Sequence, residues 1–234
     1  MHSHDNGLKI AADHITVDYG NTVALDDVTV GINSGDFVAI TGPNGGGKST
    51  LLKVLLKLIR PVSGRVEYYE NGQVVDRLHI GYLPQKSNID SRFPITVEEV
   101  VASGLYGDRC NWRGKFSGLT SQKIDSILEL MGIAGLRKRV IGSLSGGQLQ
   151  RTLLGRAVIS EPDIVVLDEP LSYVDHNFIG QIYKIVEDIS KRSTVILVSH
   201  EMTVISEMAN RHWIVDHTLH ECHASHHYLK TECD

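Results

Sequence analysis

The chain has 234 residues, of which 41% are hydrophobic and 22% are charged, and its formal net charge is −5. The length suits one large domain or a domain with an inserted lobe, and the near-average composition excludes collagen-like structure and disfavours disorder. The acidic balance argues against nucleic-acid binding, because phosphate contacts need clustered Lys and Arg. Apolar runs are much shorter than the roughly 20 residues of a spanning helix, so we expect no membrane crossing.

Compartment signals favour the cytosol. The first five residues have neither a basic region nor an apolar region, so we expect no secretory signal. The three cysteines, Cys110, Cys222 and Cys233, form no close pair, which is typical of reduced thiols in a reducing compartment.

Hydrophobic patterning predicts alternating strands and helices. Alternation over residues 15–19 and 28–32 predicts half-buried strands, and the denser apolar run 37–41 predicts a third strand before a glycine-rich turn. A helix is predicted from Lys48, because four leucines recur on one stripe, namely Leu51, Leu52, Leu55 and Leu56.

The middle of the chain is predicted to be helical, because Ile124, Ile127, Leu128 and Met131 recur at helical spacing. The continuous runs 164–167 and 195–198 predict parallel strands that are covered on both faces. The order indicates an α/β fold with a mainly parallel sheet, an N-terminal antiparallel β element and an inserted α-helical subdomain.

A phosphate-binding loop (P-loop) follows the third predicted strand. Residues 42–50 fit the pattern G-x-x-x-x-G-K-[ST], in which glycines allow backbone N–H groups to approach a phosphate closely. We expect Lys48 to reach the β- and γ-phosphates and the Ser49 hydroxyl to bind Mg²⁺. The predicted ATP-binding residues of the loop are Gly42, Pro43, Asn44, Gly45, Gly46, Gly47, Lys48, Ser49 and Thr50.

A second catalytic element is predicted at the end of the hydrophobic run 164–167, where Asp168 and Glu169 follow in sequence. Ligands of open parallel sheets lie beyond the carboxyl ends of the strands, so Asp168 is expected to stand near Ser49 and to help hold Mg²⁺. We assign Glu169 as the general base that polarises the attacking water.

The motif Leu-Ser-Gly-Gly-Gln-Leu-Gln-Arg occupies residues 144–151. Together with the P-loop and the Asp-Glu strand, it resembles the nucleotide-binding domain of ATP-binding cassette (ABC) proteins, and the resemblance extends to about residue 216. The resemblance implies a P-loop NTPase core over about residues 1–85 and 156–216. It places a helical subdomain at about 86–155 and leaves a histidine-rich tail at about 217–234.

The resemblance assigns further roles. It implies that Tyr19 stacks on adenine, that Gln85 senses Mg²⁺ and the attacking water, and that His200 contacts the γ-phosphate. Two positions depart from the common pattern: Val174 replaces the usual Leu, and Gly46 replaces a common Ala or Ser.

The signature residues open a predicted helix and can therefore present donors to a phosphate. The resemblance implies that this phosphate is bound by the P-loop of a second copy, so that a head-to-tail homodimer encloses two ATP molecules. The residues expected to act across the dimer are Ser145, Gly146, Gly147, Gln148 and Asp175.

The resemblance also implies a transporter. Two copies would sit at the cytoplasmic face of the inner membrane beneath a separate permease that contacts residues 85–106 and works with an extracytoplasmic substrate-binding protein. Residues 87–101 contain Phe-Pro-x-Thr-Val followed by an acidic pair, which resembles the cassettes of metal and metal-chelate importers. The preceding Asn-Ile-Asp-x-x-Phe-Pro and the later Gly-Leu-Tyr-Gly at residues 104–107 are most similar to the zinc and manganese branch. Ferric-siderophore and cobalamin cassettes share part of this pattern.

Alternative functions for the chain are a soluble ABC ATPase of DNA repair or translation, an exporter cassette and a non-hydrolysing binding module.

The C-terminal region is rich in histidine. Imidazole and thiolate ligands suit Zn²⁺, so one interpretation is a regulatory metal site, and the other is an exposed tail with incidental histidines. The candidate metal ligands are His217, His220, Cys222, His223, His226 and His227, and His212 precedes them.

Overall fold

The computed structural model describes residues 7–20, 22–85, 93–105, 118–172, 176–199 and 207–222. The chain forms two compact units, of which the first combines Met1–Leu78 with Val186–Asp234 and the second comprises His79–Ile185. These boundaries differ from those predicted after residues 85, 155 and 216, because packing groups the strand at 80–83 and the strand at 164–168 with the helices between them.

Strands and helices alternate along the described residues. The strands are β1 (Leu8–Asp18), β2 (Val23–Asn33), β3 (Phe37–Thr41), β4 (Ser63–Glu70), β5 (Gln73–Val75), β6 (Ile80–Leu83), β7 (Ile164–Asp168), β8 (Thr194–Val198), β9 (Arg211–Asp216) and β10 (Thr218–Cys222). The α-helices are α1 (Lys48–Leu55), α2 (Val97–Ala102), α3 (Gly118–Leu130), α4 (Gly146–Val158) and α5 (His176–Ser190). Short 3₁₀ turns occupy Ser103–Leu105, Ala134–Leu136 and Ile141–Ser143.

An antiparallel sheet in the first unit has the strand order β2-β1-β4-β5. Strand β1 pairs with β2 through Ala11 and Gly31, and with β4 through Ala11 and Glu67. Buried residues alternate with more exposed ones in the two predicted segments, at Ile15 and Val17 of β1 and at Val28, Val30 and Ile32 of β2. The predicted alternation is therefore confirmed, and it marks a sheet with one covered face.

The same unit contains four further strands in the order β10-β9-β3-β8. Strand β3 runs parallel to β8 and to β9, so Val38 is opposite Ile196 on one side and Arg211 on the other. Strands β3 and β8 consist almost wholly of buried apolar residues, as predicted for strands covered on both faces. Helix α1 follows β3 and buries Leu51, Leu52, Val54 and Leu55.

The second unit pairs β6 and β7 in parallel, with Leu83 opposite Leu167. Helix α4 packs closely on β6, because a Cβ built on Gly81 would lie 1.9 Å from the carbonyl oxygen of Ala157. The core between helices is apolar and includes Val101, Ile124, Leu128, Met131 and Leu154. The fold is thus the predicted α/β class with an antiparallel β element and helical residues inserted between β6 and β7. In the described ranges, the helices are too short or too polar to cross a bilayer.

Candidate ATP-binding and hydrolysis site

The predicted P-loop connects β3 to α1. Gly42 has φ 137°, and a Cβ on it would stand 2.0 Å from the carbonyl oxygen of Val215, so this position has room only for glycine. Gly45 and Gly47 also adopt positive φ, at 84° and 97°, and Gly47 immediately precedes the first helical residue. The loop therefore ends on the N-terminus of a helix, where backbone N–H groups and the helix dipole favour an anion.

Lys48 lies at the base of this loop and is 7% exposed. Its Nζ donates hydrogen bonds to the carbonyl oxygens of Gly42, at 2.9 Å, and of Pro43, at 2.7 Å. An ammonium group has three N–H donors, so two hold the loop closed and the third can be donated to a phosphate. Lys48 thus stabilises the conformation of the same loop in which it is predicted to bind phosphate.

The first unit contains three more predicted residues: Ser49 and Thr50 directly after Lys48, and Tyr19 earlier in the chain. Ser49 and Thr50 are half-buried in the first turn of α1. Tyr19 follows β1 with 57% of its surface exposed, which leaves an aromatic ring available for stacking. Hydroxyl and carboxylate oxygens are the ligands that Mg²⁺ prefers, so Ser49 and Asp168 have suitable chemistry for the metal.

In the second unit, parallel pairing brings Gln85 and the acidic pair to one edge of the sheet. Because Leu83 is opposite Leu167, the residues that follow each strand leave from the same end. Asp168 is the last residue of β7 and is 2% exposed. Burial raises the pKa of the neighbouring Tyr82 to about 12, and the negative charge of Asp168 adds to this increase. Tyr82 therefore remains a neutral phenol at physiological pH.

Glu169 is held in an unusual backbone conformation. Its φ is 53°, in the left-handed region that non-glycine residues rarely adopt. Ser172 donates its hydroxyl hydrogen to Oε2 of Glu169 over 3.1 Å, and the carboxylate is half-buried. Such strain costs about 1–3 kcal/mol and is typical of functional positions.

Two side chains near Glu169 were not predicted from the sequence. Gln150 of α4 is 6% exposed, and its Nε2 donates to the carbonyl oxygens of Pro170, at 3.4 Å, and Glu169, at 3.5 Å. Ser172 is the other. The sequence offered one signal for Gln150, a polar residue that lies on the same face of α4 as the apolar Leu153 and Leu154. A buried amide in such a place usually has hydrogen-bond partners.

The signature motif forms the predicted helix start. Ser145 is the N-cap of α4, and its Oγ accepts a hydrogen bond from the backbone N–H of Gln148 at 3.3 Å. The Gln148 side chain accepts in return from the backbone N–H of Ser145 at 3.1 Å. This capping box uses a lone pair of the serine, so its hydroxyl hydrogen can still be donated to a phosphate.

Several predicted residues lie outside the described residues, namely His200, Asp175, Val174, His223, His226 and His227. His217 lies in the turn between β9 and β10, while His220 and Cys222 belong to β10. Among the described parts of the chain, no three His, Cys, Asp or Glu side chains are close enough together to hold a metal ion. Residues 217–222 are thus part of a β-hairpin, and the regulatory metal site stays a prediction.

The chain is similar to known proteins. A family model described as "ABC transporter" matches residues 25–172. The chain is 36% identical over 213 residues to the zinc import ATP-binding protein ZnuC of Pasteurella multocida (strain Pm70), covering 90% of this chain and 74% of that protein. It is 37% identical over 200 residues to the high-affinity zinc uptake system ATP-binding protein ZnuC of Bacillus subtilis (strain 168), covering 84% and 86% respectively.

A solved structure shares the fold. This structure is a dimeric ATP-binding cassette in a post-hydrolysis state, bound to ADP and Pi, which matches with a TM-score of 0.78 and 26% identity over 92% of this chain and 98% of that chain. The fold and these similarities define the class of ATP-binding cassette ATPases. The chain belongs to the ABC transporter family, as an ATP-binding subunit.

Proposed function

We propose that this chain is the ATP-hydrolysing subunit of an importer that carries a transition-metal ion, zinc or manganese, through a separate permease. The observation that supports this proposal most strongly is the similarity, over nine-tenths of the chain, to an ATP-binding protein named for zinc import. An intact P-loop and an acidic strand end support hydrolysis, whereas a non-hydrolysing binding module would not need Glu169.

The chain's own residues account for nucleotide binding. The N–H groups of the P-loop and the Lys48 ammonium bind the β- and γ-phosphates, and Tyr19 stacks on adenine. Ser49, Gln85 and Asp168 would hold Mg²⁺, which neutralises charge on the phosphates. The donor set fits this ion, because every proposed ligand atom is an oxygen.

Hydrolysis depends on proton transfer from water. Glu169 accepts a proton from the attacking water, with its carboxylate oriented by Ser172 and its backbone bound by Gln150. His200 contacts the γ-phosphate and stabilises the charge that develops there. The held conformation of Glu169 reduces the reorganisation needed at the moment of reaction.

A second copy completes the site. Two subunits pair head to tail, and the signature residues of one contact the γ-phosphate bound by the other. The similar dimeric cassette bound to ADP and Pi supports this arrangement. The γ-phosphate then bridges the two subunits, so its hydrolysis and release allow the dimer to open. The residues that act across the dimer are Ser145, Gly146, Gly147, Gln148 and Asp175.

The proposed location is the cytoplasmic face of the cell membrane, where the dimer binds the permease through residues 85–106 and receives substrate captured by an extracytoplasmic binding protein. The first experiment is purification of the membrane complex from cells that express a tagged chain. Recovery of a membrane permease supports transport, and recovery of ribosomes or DNA in its place contradicts it.

The cargo is tested by reconstituting that complex in liposomes with its binding protein and measuring uptake of Zn²⁺, Mn²⁺, a ferric siderophore and cobalamin. ATP-dependent uptake of Zn²⁺ or Mn²⁺ supports the proposal. Uptake of only a chelate assigns the chain to a metal-chelate importer, the alternative that shares the Phe-Pro-x-Thr-Val pattern.

The histidine-rich end is proposed as a regulatory site for cytosolic metal. The test replaces His220, His223, His226 and His227 with Ala and measures inhibition of ATP hydrolysis by Zn²⁺. His217 is left intact because its main chain contacts the P-loop. Inhibition that is weaker in the variant supports the site, and identical inhibition of the variant and the parent chain contradicts it.

A further inference from the structure

The turn of the β9–β10 hairpin is bonded directly to the P-loop. The backbone N–H of His217 donates to the carbonyl oxygen of Gly46 over 2.9 Å. The carbonyl oxygen of the same residue accepts from the N–H of Asp26 in β2, over 2.7 Å. One residue of the hairpin turn therefore connects the phosphate loop to β2 through its main chain.

The hydrogen bond to Gly46 also determines where the next N–H points. In a trans peptide unit, the C=O of one residue and the N–H of the next residue point in opposite directions. Since the Gly46 carbonyl points toward the hairpin, the Gly47 N–H of the same peptide unit points away from the hairpin. Gly47 is the last residue before α1, so this N–H joins the donors at the helix N-terminus.

Close packing keeps this peptide unit from rotating. A Cβ built on Gly46 would lie 2.7 Å from the carbonyl oxygen of Val215 and 3.2 Å from Cα of Asp216, so the loop rests against the hairpin backbone. The Lys48 ammonium holds the carbonyl groups of Gly42 and Pro43. Three carbonyl groups of the loop thus have donors of their own, and none of these three needs to face an anion.

His217 itself has a backbone conformation that few residues adopt. Its φ is 57°, which costs a non-glycine residue about 1–3 kcal/mol. Its imidazole is about half exposed and lies 3.8 Å from the Asp216 carboxylate, a long contact that does not explain the conformation. The tight turn explains it, because His217 alone connects Asp216 to its paired residue Thr218, and both main-chain hydrogen bonds are made in this turn geometry.

We infer that His217 is a positioning residue for ATP, and that its main-chain N–H orients the Gly46–Gly47 peptide unit so that Gly47 N–H is presented to a nucleotide phosphate. The inference rests on the proposed role of the P-loop. His217 then acts through its backbone and not through its imidazole, and the β9–β10 hairpin contributes to nucleotide affinity.

Substitutions at His217 separate the main chain from the side chain. His217→Gly keeps the N–H and relieves the strain, so we expect the Kd for ADP and the KM for ATP to stay within about twofold of the parent values. His217→Pro removes the donor and cannot adopt this φ, so both constants should rise about tenfold, with a smaller change in kcat. Asn71→Pro is the matched control, because Asn71 has φ 53° in the β4–β5 turn.

The result that overturns the inference is normal nucleotide affinity in a folded His217→Pro variant, or a loss of affinity in His217→Gly that equals the loss in the proline variant. Lys48→Ala is measured in parallel. If Lys48→Ala also binds ADP normally, the P-loop assignment itself is wrong. If only Lys48→Ala weakens binding, the P-loop assignment stands and the role of His217 is wrong.

A measurement on the parent chain keeps the test decisive even where the proline variant does not fold. Amide hydrogen exchange of His217 should be slow in the folded chain, because its N–H is bonded to Gly46. Gly47 N–H should become protected when ADP binds. A fast-exchanging His217 amide, or a Gly47 amide that ADP leaves unchanged, contradicts the inference.

Discussion

Ser172 donates its hydroxyl hydrogen to Oε2 of Glu169, three residues earlier in the chain, over 3.1 Å. The same Glu169 has a left-handed backbone at the end of β7. A short turn thus holds the proposed general base by both its backbone conformation and its carboxylate. This arrangement predicts that catalysis depends on a serine that does not itself react.

Replacing Ser172 with Ala should lower kcat by about fivefold, because one hydrogen bond of about 1 kcal/mol no longer orients the carboxylate. The KM for ATP should change little, since the serine is proposed to contact no nucleotide atom. Steady-state ATP hydrolysis by the purified subunit measures both constants. Ser126→Ala, which removes an exposed hydroxyl from α3, is the control and should leave kcat unchanged.

Replacing Gln150 with Met should affect both stability and turnover. The buried amide donates to two carbonyl groups of the Glu169–Pro170 segment, and methionine has a similar shape without the donor. We expect a loss of about 1–3 kcal/mol in the free energy of unfolding, measured by urea titration, with a lower kcat. Gln181→Met is the comparison, because Gln181 makes a similar but exposed bond to Leu130. Equal effects of the two substitutions would contradict the proposed role of Gln150.

Replacing Lys48 with Ala should weaken ADP and ATP binding by at least about tenfold, because the loop loses both its internal hydrogen bonds and its positive charge. Calorimetric titration with ADP measures the change. Lys53→Ala removes a lysine from the exposed face of the same helix and should bind ADP normally. Weakened binding in both variants would point to a general effect of charge.

The lowered pKa of Glu98 predicts that this carboxylate stabilises the fold in a pH-dependent way. Burial by itself would raise the pKa of this carboxyl, but hydrogen bonds from Lys138 and Arg137 outweigh burial, so the pKa lies below its ordinary value. The unfolded chain then binds more protons than the folded chain in acid. The stabilisation is therefore complete above the ordinary glutamate pKa of about 4.3 and is lost as the pH falls through the lower folded value.

Glu98→Gln should accordingly cost about 2 kcal/mol of unfolding free energy at neutral pH, with a smaller cost at about pH 3. Urea titrations across this pH range measure the difference between variant and parent. Glu187→Gln removes an exposed carboxylate and should show little effect at either pH. A difference for Glu98→Gln that grows in acid would contradict the sign of the pKa change.

The strands and helices that were predicted best are those whose pattern of apolar residues matches their burial in the fold. The apolar runs that form β3, β7 and β8 are covered on both faces, and the leucine stripe that begins at Lys48 forms α1. The capping residue Ser145 was also predictable, because a serine followed by glutamine three residues later marks a helix start.

The β9–β10 hairpin was not predicted, because histidines and polar residues in β10 hide the weak alternation of an exposed edge strand. The bond from His217 to Gly46 joins residues 171 positions apart, and no local pattern encodes such a contact. Gln150 was missed for the same reason, because the carbonyl groups that it binds follow β7 and do not belong to its own helix α4. Sequence motifs therefore predict the reacting groups, whereas the residues that hold those groups in place are identified only by tertiary hydrogen bonds in the structure.

The central claim is that Glu169 serves as the base for ATP hydrolysis in a cassette that works as a dimer. The most direct measurement is multiple-turnover ATP hydrolysis by Glu169→Gln, with size-exclusion chromatography of the same sample in ATP. We predict that turnover nearly stops while ATP still binds, and that the variant accumulates as an ATP-bound dimer. Turnover at the parent rate, with no such dimer, would contradict the account.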